Sequence, residues 1–190
     1  MRKKNVKLWN HLLKELNDFE IKGGWFEESK YDDGTPVAGI AAVQNFGAHI
    51  NQTVTEKQRA FLHYIGIHLK KETDKLNIII PARPFMDNAK ERIQGQEGKD
   101  ILMQELLRVF EGRQTMQQAV LRLKEWAASI VKEELTKIQS PPLARSTVKN
   151  REKRYTSKAK KSNPKTISKP LVDTGLMLAE VQGKAEIKKK

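Results

Sequence analysis

Apolar positions recur near the start of the chain at helical spacing. Leu8, Trp9, Leu12, Leu13, Leu16 and Phe19 share one stripe, which predicts an amphipathic helix over 6–19. The pattern then switches to alternation. Ile21, Gly23 and Trp25 point one way and Lys22 and Gly24 the other, so 20–27 reads as a short strand. Its paired glycines mark a bulge or a close backbone approach. Asp32-Asp33-Gly34 is turn chemistry. Thr35 suits an N-cap and Pro36 the first position of a helix from Val37 to about Phe46, which Gly47 ends. Ala38, Gly39, Ala41 and Ala42 leave that helix open to close packing.

Thr55-Glu56-Lys57-Gln58 carries a capping box, predicting a helix over 56–64. Leu76 to Ile80 is an apolar, β-branched run and reads as a strand. Pro81 and Pro84 then hold residues 80 and 83 extended and allow a helix from Pro84 to Ile93, with Gly95 and Gly98 as breakers. Ile101 to Glu111 is amphipathic again. After Gly112 a long helix is predicted over 115–138, with Met116, Val120, Leu123, Ala127, Ile130 and Ile138 near one stripe and Trp126 and Leu135 beside it. It lacks a strict heptad, so it reads as a core helix rather than a coiled coil. Ser140-Pro141-Pro142 stops it. A short basic helix is expected over 144–154, a flexible loop over 155–169, and a last short helix or strand over 176–181. The fold class expected is α+β: a small antiparallel sheet packed on a long helix, with further short helices and extended loops. Residues 1–140 form the core domain, and 141–190 are a basic extension that returns to the core through 170–182.

Composition sharpens this picture. Apolar residues make up 38% of the 190, and mean hydropathy is −0.65, so much of the length belongs to surface, extension or subunit contact. No apolar run approaches the ~18–20 residues of a membrane span. The basic start of the chain has no apolar stretch behind it, so no secretory signal is expected. The absence of cysteine excludes disulfides and thiolate chemistry and fits assembly in a reducing cytoplasm. The net charge of +13 is uneven: the last fifty residues hold 14 basic and 4 acidic residues. Such a segment can neutralise nucleic-acid phosphates or dock on an acidic protein surface. Tyr155 is its only aromatic, which is poor support for base stacking.

Candidate chemistry is sparse. Asp173-Thr174-Gly175 after Leu171-Val172 looks like an aspartic-protease turn, but that enzyme needs two carboxylates sharing a proton and most of a β-domain downstream. Only fifteen residues follow, so an Asp turn or N-cap is the better reading. The spacing of His63 and His68 does not put both on one helical face, His49 and His11 stand apart, and no metal motif is present. No phosphate loop or nucleophile elbow occurs. The chain reads as non-enzymatic, with no cofactor and no metal.

Several segments, in order, carry a resemblance. They are Val37-Ala38-Gly39-Ile40-Ala41-Ala42-Val43-Gln44-Asn45-Phe46-Gly47, then Ile80-Pro81-Ala82-Arg83-Pro84-Phe85-Met86, then Ser140-Pro141-Pro142-Leu143 with Pro170-Leu171-Val172-Asp173-Thr174-Gly175-Leu176. Over about 36–180 the chain resembles the tail-completion, or virion-morphogenesis, proteins of tailed bacteriophages. Thr55-Glu56-Lys57-Gln58-Arg59-Ala60-Phe61-Leu62 is similar to the Mu-like branch. Leu176-Met177-Leu178 departs from the more polar continuation usual in that family. The resemblance implies a structural neck subunit, six copies forming a homo-oligomeric ring in the virion between the head-tail connector or adaptor and the tail terminator or tail tube. Nonspecific contact with packaged DNA and assembly in the host cytoplasm follow. The alternative is a nucleic-acid-binding protein using the basic C-terminal segment.

Expected interaction surfaces are the loop 48–75, the Arg83 turn with Phe85, and the segment 144–169 with Arg145, Lys149, Arg151, Lys153 and Arg154. Arg83, presented between prolines, is expected to pair bidentately with Asp173 or else to be a surface cation.

Overall fold

In the computed structural model, residues 3–157, 167–173 and 175–188 are described. The stripe at the start forms α1 (Lys3–Asn17), and the alternating segment forms β1 (Phe19–Gly24). The next helix, α2 (Val37–Phe46), has the expected bounds, but its N-cap is Pro36 rather than Thr35. An isolated bridge between Lys30 and Pro36 holds Pro36 extended at ψ 128°, and the Val37 N–H goes to the Ser29 carbonyl. Thr35 is instead tied by its own N–H to Asp33 Oδ1, 2.9 Å away.

After Gly47 comes β2 (Ala48–Thr53), a strand the sequence reading missed, then α3 (Glu56–Tyr64) and β3 (Lys75–Ile80). Both halves of the expected capping box at Thr55 and Gln58 are formed. The helix after the prolines is α4 (Phe85–Gln94). Gly95 ends it, but Gly98 does not act as a breaker: α5 runs from Gln96 to Phe110 with Gly98 buried inside it. A Cβ there would stand 1.8 Å from the Ile93 carbonyl oxygen, so Gly98 serves the close packing of α5 against the end of α4.

The long helix is α6 (Met116–Lys137), opened by a second capping box at Thr115 and Gln118. Its 22 residues span about 33 Å. It threads all three groups of core residues. Met116 and Val120 pack with Leu12 and Leu106; Ala128, Ile130 and Val131 with Ala89 and Val181; Leu135 with Val37, Ala41, Phe85 and Met177. The basic helix is α7 (Arg145–Ser157), and the chain closes with α8 (Leu176–Ala179) and β4 (Gln182–Ile187).

Two separate antiparallel pairs result. β4 pairs with β1, Phe19 opposite Ile187 and Gly23 opposite Gly183, and this sheet lies on α6. The protein is therefore α+β, with a small sheet on a long helix as the pattern predicts. The second pair is β2 with β3, Ala48 opposite Ile80. Together with α3 it forms an arm, residues 48–80, that leaves the core after α2 and returns before α4. No helix of the described residues is long and apolar enough to cross a membrane.

Candidate interaction site at the Arg83 junction

The arm leaves and rejoins the core at one place. Gly47 ends α2 with φ +75°, where a Cβ would meet the Ile80 carbonyl oxygen at 2.7 Å and the Ala82 nitrogen at 2.8 Å. The Arg83 N–H donates to the Gln44 carbonyl at 2.9 Å, so the base of the arm is stitched across its two crossings. Next to it Asn45, buried on α2, accepts from the Met86 N–H and donates to Asp87 Oδ2, both at 2.9 Å. It serves the first turn of α4 from another element. The sequence reading gave Asn45 no role; the Gln44-Asn45 pair on a helix otherwise of small and apolar residues was the available signal.

Arg83 is neither a surface cation nor the partner of Asp173. Only 2% of it is exposed. Its Nε and Nη2 donate to the Pro141 carbonyl at 3.1 and 2.9 Å, Nη2 also to Pro142 O at 3.2 Å, and Nη1 to Gln44 Oε1 at 2.9 Å and Pro81 O at 3.3 Å. These are neutral acceptors, and burial pulls the guanidinium pKa below its ordinary value. The extended prolines present Arg83 inward, where the post-α6 segment turns back over it. Phe85 is equally unavailable to a partner: it is fully buried, edge-on to Trp25 at 5.9 Å, whose Nε1 donates to the Met177 carbonyl at 2.7 Å.

Asp173 belongs to α7 instead. Arg154 Nη2 lies 3.1 Å from its Oδ2 and Arg151 Nε 3.5 Å from Oδ1. Its carboxylate is drawn to these guanidiniums, and the N-cap of α8 is Gly175 rather than Asp173. A shared-proton dyad requires a second carboxylate, and among the described residues Asp173 is the only one lining the cavity beside it.

The basic helix is largely committed to its own chain. Arg151, 6% exposed, donates through Nη1 to the carbonyls of Ile167, Lys169 and Val172. Lys149 Nζ reaches the Gly66 carbonyl at 3.2 Å, and Lys153 Nζ lies 4.2 Å over the Tyr64 ring. The last two contacts fasten α7 to the arm. Arg145 and Arg154 remain exposed. Residues 155–157, expected in a flexible loop, instead extend α7 to Ser157; the rest of that expected loop over 158–166 lies outside the described residues, as do Thr174, Lys189 and Lys190.

Apolar surface stays open on the arm, as at Ile187 and on the outer faces of α1 and α5. Helix α3 buries no residue, Tyr64 and Ile79 are 64% and 68% exposed, and Phe46 at the arm's base is 72% exposed. The loop after α3 is ordered by Arg59, whose Nη1 and Nη2 donate to the carbonyls of Lys70 and Thr73 at 2.9 and 2.7 Å. This loop also brings together two histidines that sequence spacing separates: His63 Nδ1 and His68 Nδ1 are 2.8 Å apart. His49 bonds Asn77 across the β2–β3 pair. No group of three or more His, Asp or Glu among the described residues is placed to hold a metal.

Comparison of the chain with protein-family models, with curated proteins and with solved structures found no match.

Proposed function

We propose that this chain is a structural subunit of the phage virion neck, acting in tail completion and head-tail joining. It forms a ring between the head connector and the tail terminator or tail tube. The observation that carries this reading is convergence. The segments bearing the family resemblance are scattered over 37–47, 80–86, 140–143 and 170–176, yet they meet around Arg83 and Phe85. Gln44, Pro81, Pro141 and Pro142 hold the guanidinium, and Leu171, Val172, Leu176 and Met177 pack with Val37 and Phe85.

This arrangement suits a joining part. The junction fixes the base of the arm by buried hydrogen bonds, and the arm offers apolar residues that a neighbouring subunit would cover. A stable interface buries about 800 Å² per partner, which isolated core elements do not offer. The exposed basic residues of α7 are compatible with a ring around a DNA channel, where phosphate contact adds affinity without sequence choice. In this reading the protein acts in the virion neck and assembles in the host cytoplasm.

The test is loss of the gene in the phage that carries it. Full heads and finished tails accumulating separately, with joining restored by added protein, support the proposal. Joined, infectious particles from the deletion overturn it.

A further inference from the structure

Helix α3 ends in a turn whose hydrogen bonds decide where the next side chains go. Gly66 takes φ +80°, its N–H donates to the His63 carbonyl at 2.9 Å, and the Ile67 N–H donates to the Leu62 carbonyl at 2.8 Å. These are the paired bonds of a Schellman turn, with glycine at its left-handed position. The turn sends the chain back along the helix, so His68 arrives beside His63. Ile65 anchors the turn, being only 2% exposed. Arg59 pins the continuing loop through the carbonyls of Lys70 and Thr73, and the Val54 N–H holds its far end at the Asp74 carbonyl, 2.8 Å away. Two imidazoles thus stand on backbone that is fixed on both sides of them. Their Nδ1 atoms are 2.8 Å apart, their ring centroids 4.6 Å apart, and both residues are exposed.

A hydrogen bond between two exposed rings contributes little, because water serves each ring nearly as well. The same spacing suits a second use. An imidazole nitrogen sits about 2.0–2.1 Å from a zinc ion, so two of them on one ion stand about 3 Å apart. With both rings neutral, one Nδ1 carries a proton and donates it to the other; moving that proton to Nε2 of its own ring frees both Nδ1 lone pairs, and no proton leaves the pair. Of the charged groups lining the same opening, Arg59 is turned onto its two carbonyls, and Glu56 and Lys71 are of opposite sign. The imidazoles, rather than a surrounding field, would therefore hold a cation. We infer that His63 and His68 form a two-nitrogen chelate for a divalent transition-metal ion, bound through both Nδ1 atoms, with water completing its shell. Imidazole donors suit copper, nickel and zinc, whereas magnesium takes oxygen. With two protein ligands rather than the three or four of ordinary zinc centres, the ion is exchangeable. It clips the loop after α3 to the helix. The site uses only residues of the arm and stands independently of the neck reading.

The experiment is titration of the full-length, nitrogen-labelled chain with zinc chloride, followed by the histidine ring resonances, with magnesium chloride as the control. Zinc is expected to move the Nδ1 resonances of His63 and His68 together, at one ion per chain, and to leave those of His11 and His49 in place. Magnesium is expected to move none. Copper chloride, followed by calorimetry, is expected to bind more tightly than zinc. His63→Gln and His68→Gln, both exposed substitutions, should each weaken zinc binding at least about tenfold while the core amide resonances stay where they are. Bound zinc should also slow amide hydrogen exchange over 64–70 several-fold, because it stabilises the closed loop. Four results would overturn the chelate: no ring shift at millimolar zinc, shifts of one ring alone, zinc affinity unchanged in His68→Gln, or one ion shared between two chains.

Discussion

Gly23 and Gly183 face each other across β1 and β4, and together they let the backbone of α6 lie directly on the sheet. A Cβ on Gly183 would fall 2.0 Å from the Lys124 carbonyl oxygen, inside any real contact, and one on Gly23 would meet the Ala127 carbonyl group at 3.0 Å. Gly183→Ala should therefore destabilise the fold by about 3 kcal/mol and Gly23→Ala by about 1 kcal/mol, the range for overpacking against an unyielding neighbour. Denaturant unfolding of the two variants checks the order. Equal, negligible effects would mean that α6 does not rest on this glycine pair.

Arg83 holds the junction through neutral acceptors, so its loss leaves buried carbonyls unpaired. Arg83→Met is expected to cost about 3 kcal/mol, with Arg83→Lys recovering little, because an ammonium cannot reproduce the fork that spans Pro141, Pro142 and Gln44. Exchanging Arg83 and Asp173 should not restore stability, because Asp173 bonds the arginines of α7. Recovery in the double exchange would contradict the observed partners.

Acid sensitivity should centre on Arg92. It bonds Glu97 through two nitrogens at 2.8 and 2.9 Å, and Glu133 and Glu134 at 2.9 and 2.7 Å, while Lys137 reaches the same two glutamates at 2.9 Å. Hydrogen bonds to Arg92 hold Glu97 below the usual carboxylate range, and those to Lys137 and Arg92 do the same for Glu133. At Glu134 burial works the other way, and the hydrogen bonds from Lys137 and Arg92 outweigh it. A carboxylate with a depressed folded pKa contributes stability that is complete above its unfolded value, 4.5 here, and is lost as pH falls through the lower folded value. Hydrogen bonds to Glu133 and Glu134 raise Lys137, whose share is complete below 10.5 and lost only as pH rises through its higher folded value. Stability measured from pH 6 down to pH 3 should fall, and Arg92→Gln should flatten that slope. An unchanged slope would remove the network from the account.

The arm should loosen without the core. Lys153 over Tyr64 and Lys149 on the Gly66 carbonyl tie α7 to the arm, and a cation–π contact at an exposed site contributes about 0.5–1 kcal/mol. Lys153→Ala is expected to speed amide hydrogen exchange in α3 and the following loop several-fold, with exchange in α6 unchanged. Uniform acceleration would show that arm and core open as one unit.

Elements with a strong local signal were legible in the sequence. The capping box at Thr55 and the stripe of α6 both depend on near neighbours. What stayed hidden depends on distant ones. β2 lacks an apolar alternation of its own because its partner β3 and the arm leave both faces half-exposed. Gly98 looked like a breaker because the Ile93 backbone that excludes a Cβ is visible only once α4 and α5 are packed. Arg83 was rightly singled out as special but given the wrong partner. Prolines fix the direction of their own segment, yet they say nothing of the Pro141 and Pro142 carbonyls that come back over it. Leu135 read as lying beside the stripe and is fully buried, because α6 is covered on more than one side.

Imaging of assembled virions for this subunit, labelled at its N-terminus, tests the proposed neck role most directly. The account predicts label at the head-tail junction as a ring of symmetry-related copies. Joined particles that contain no copy of the chain would contradict it.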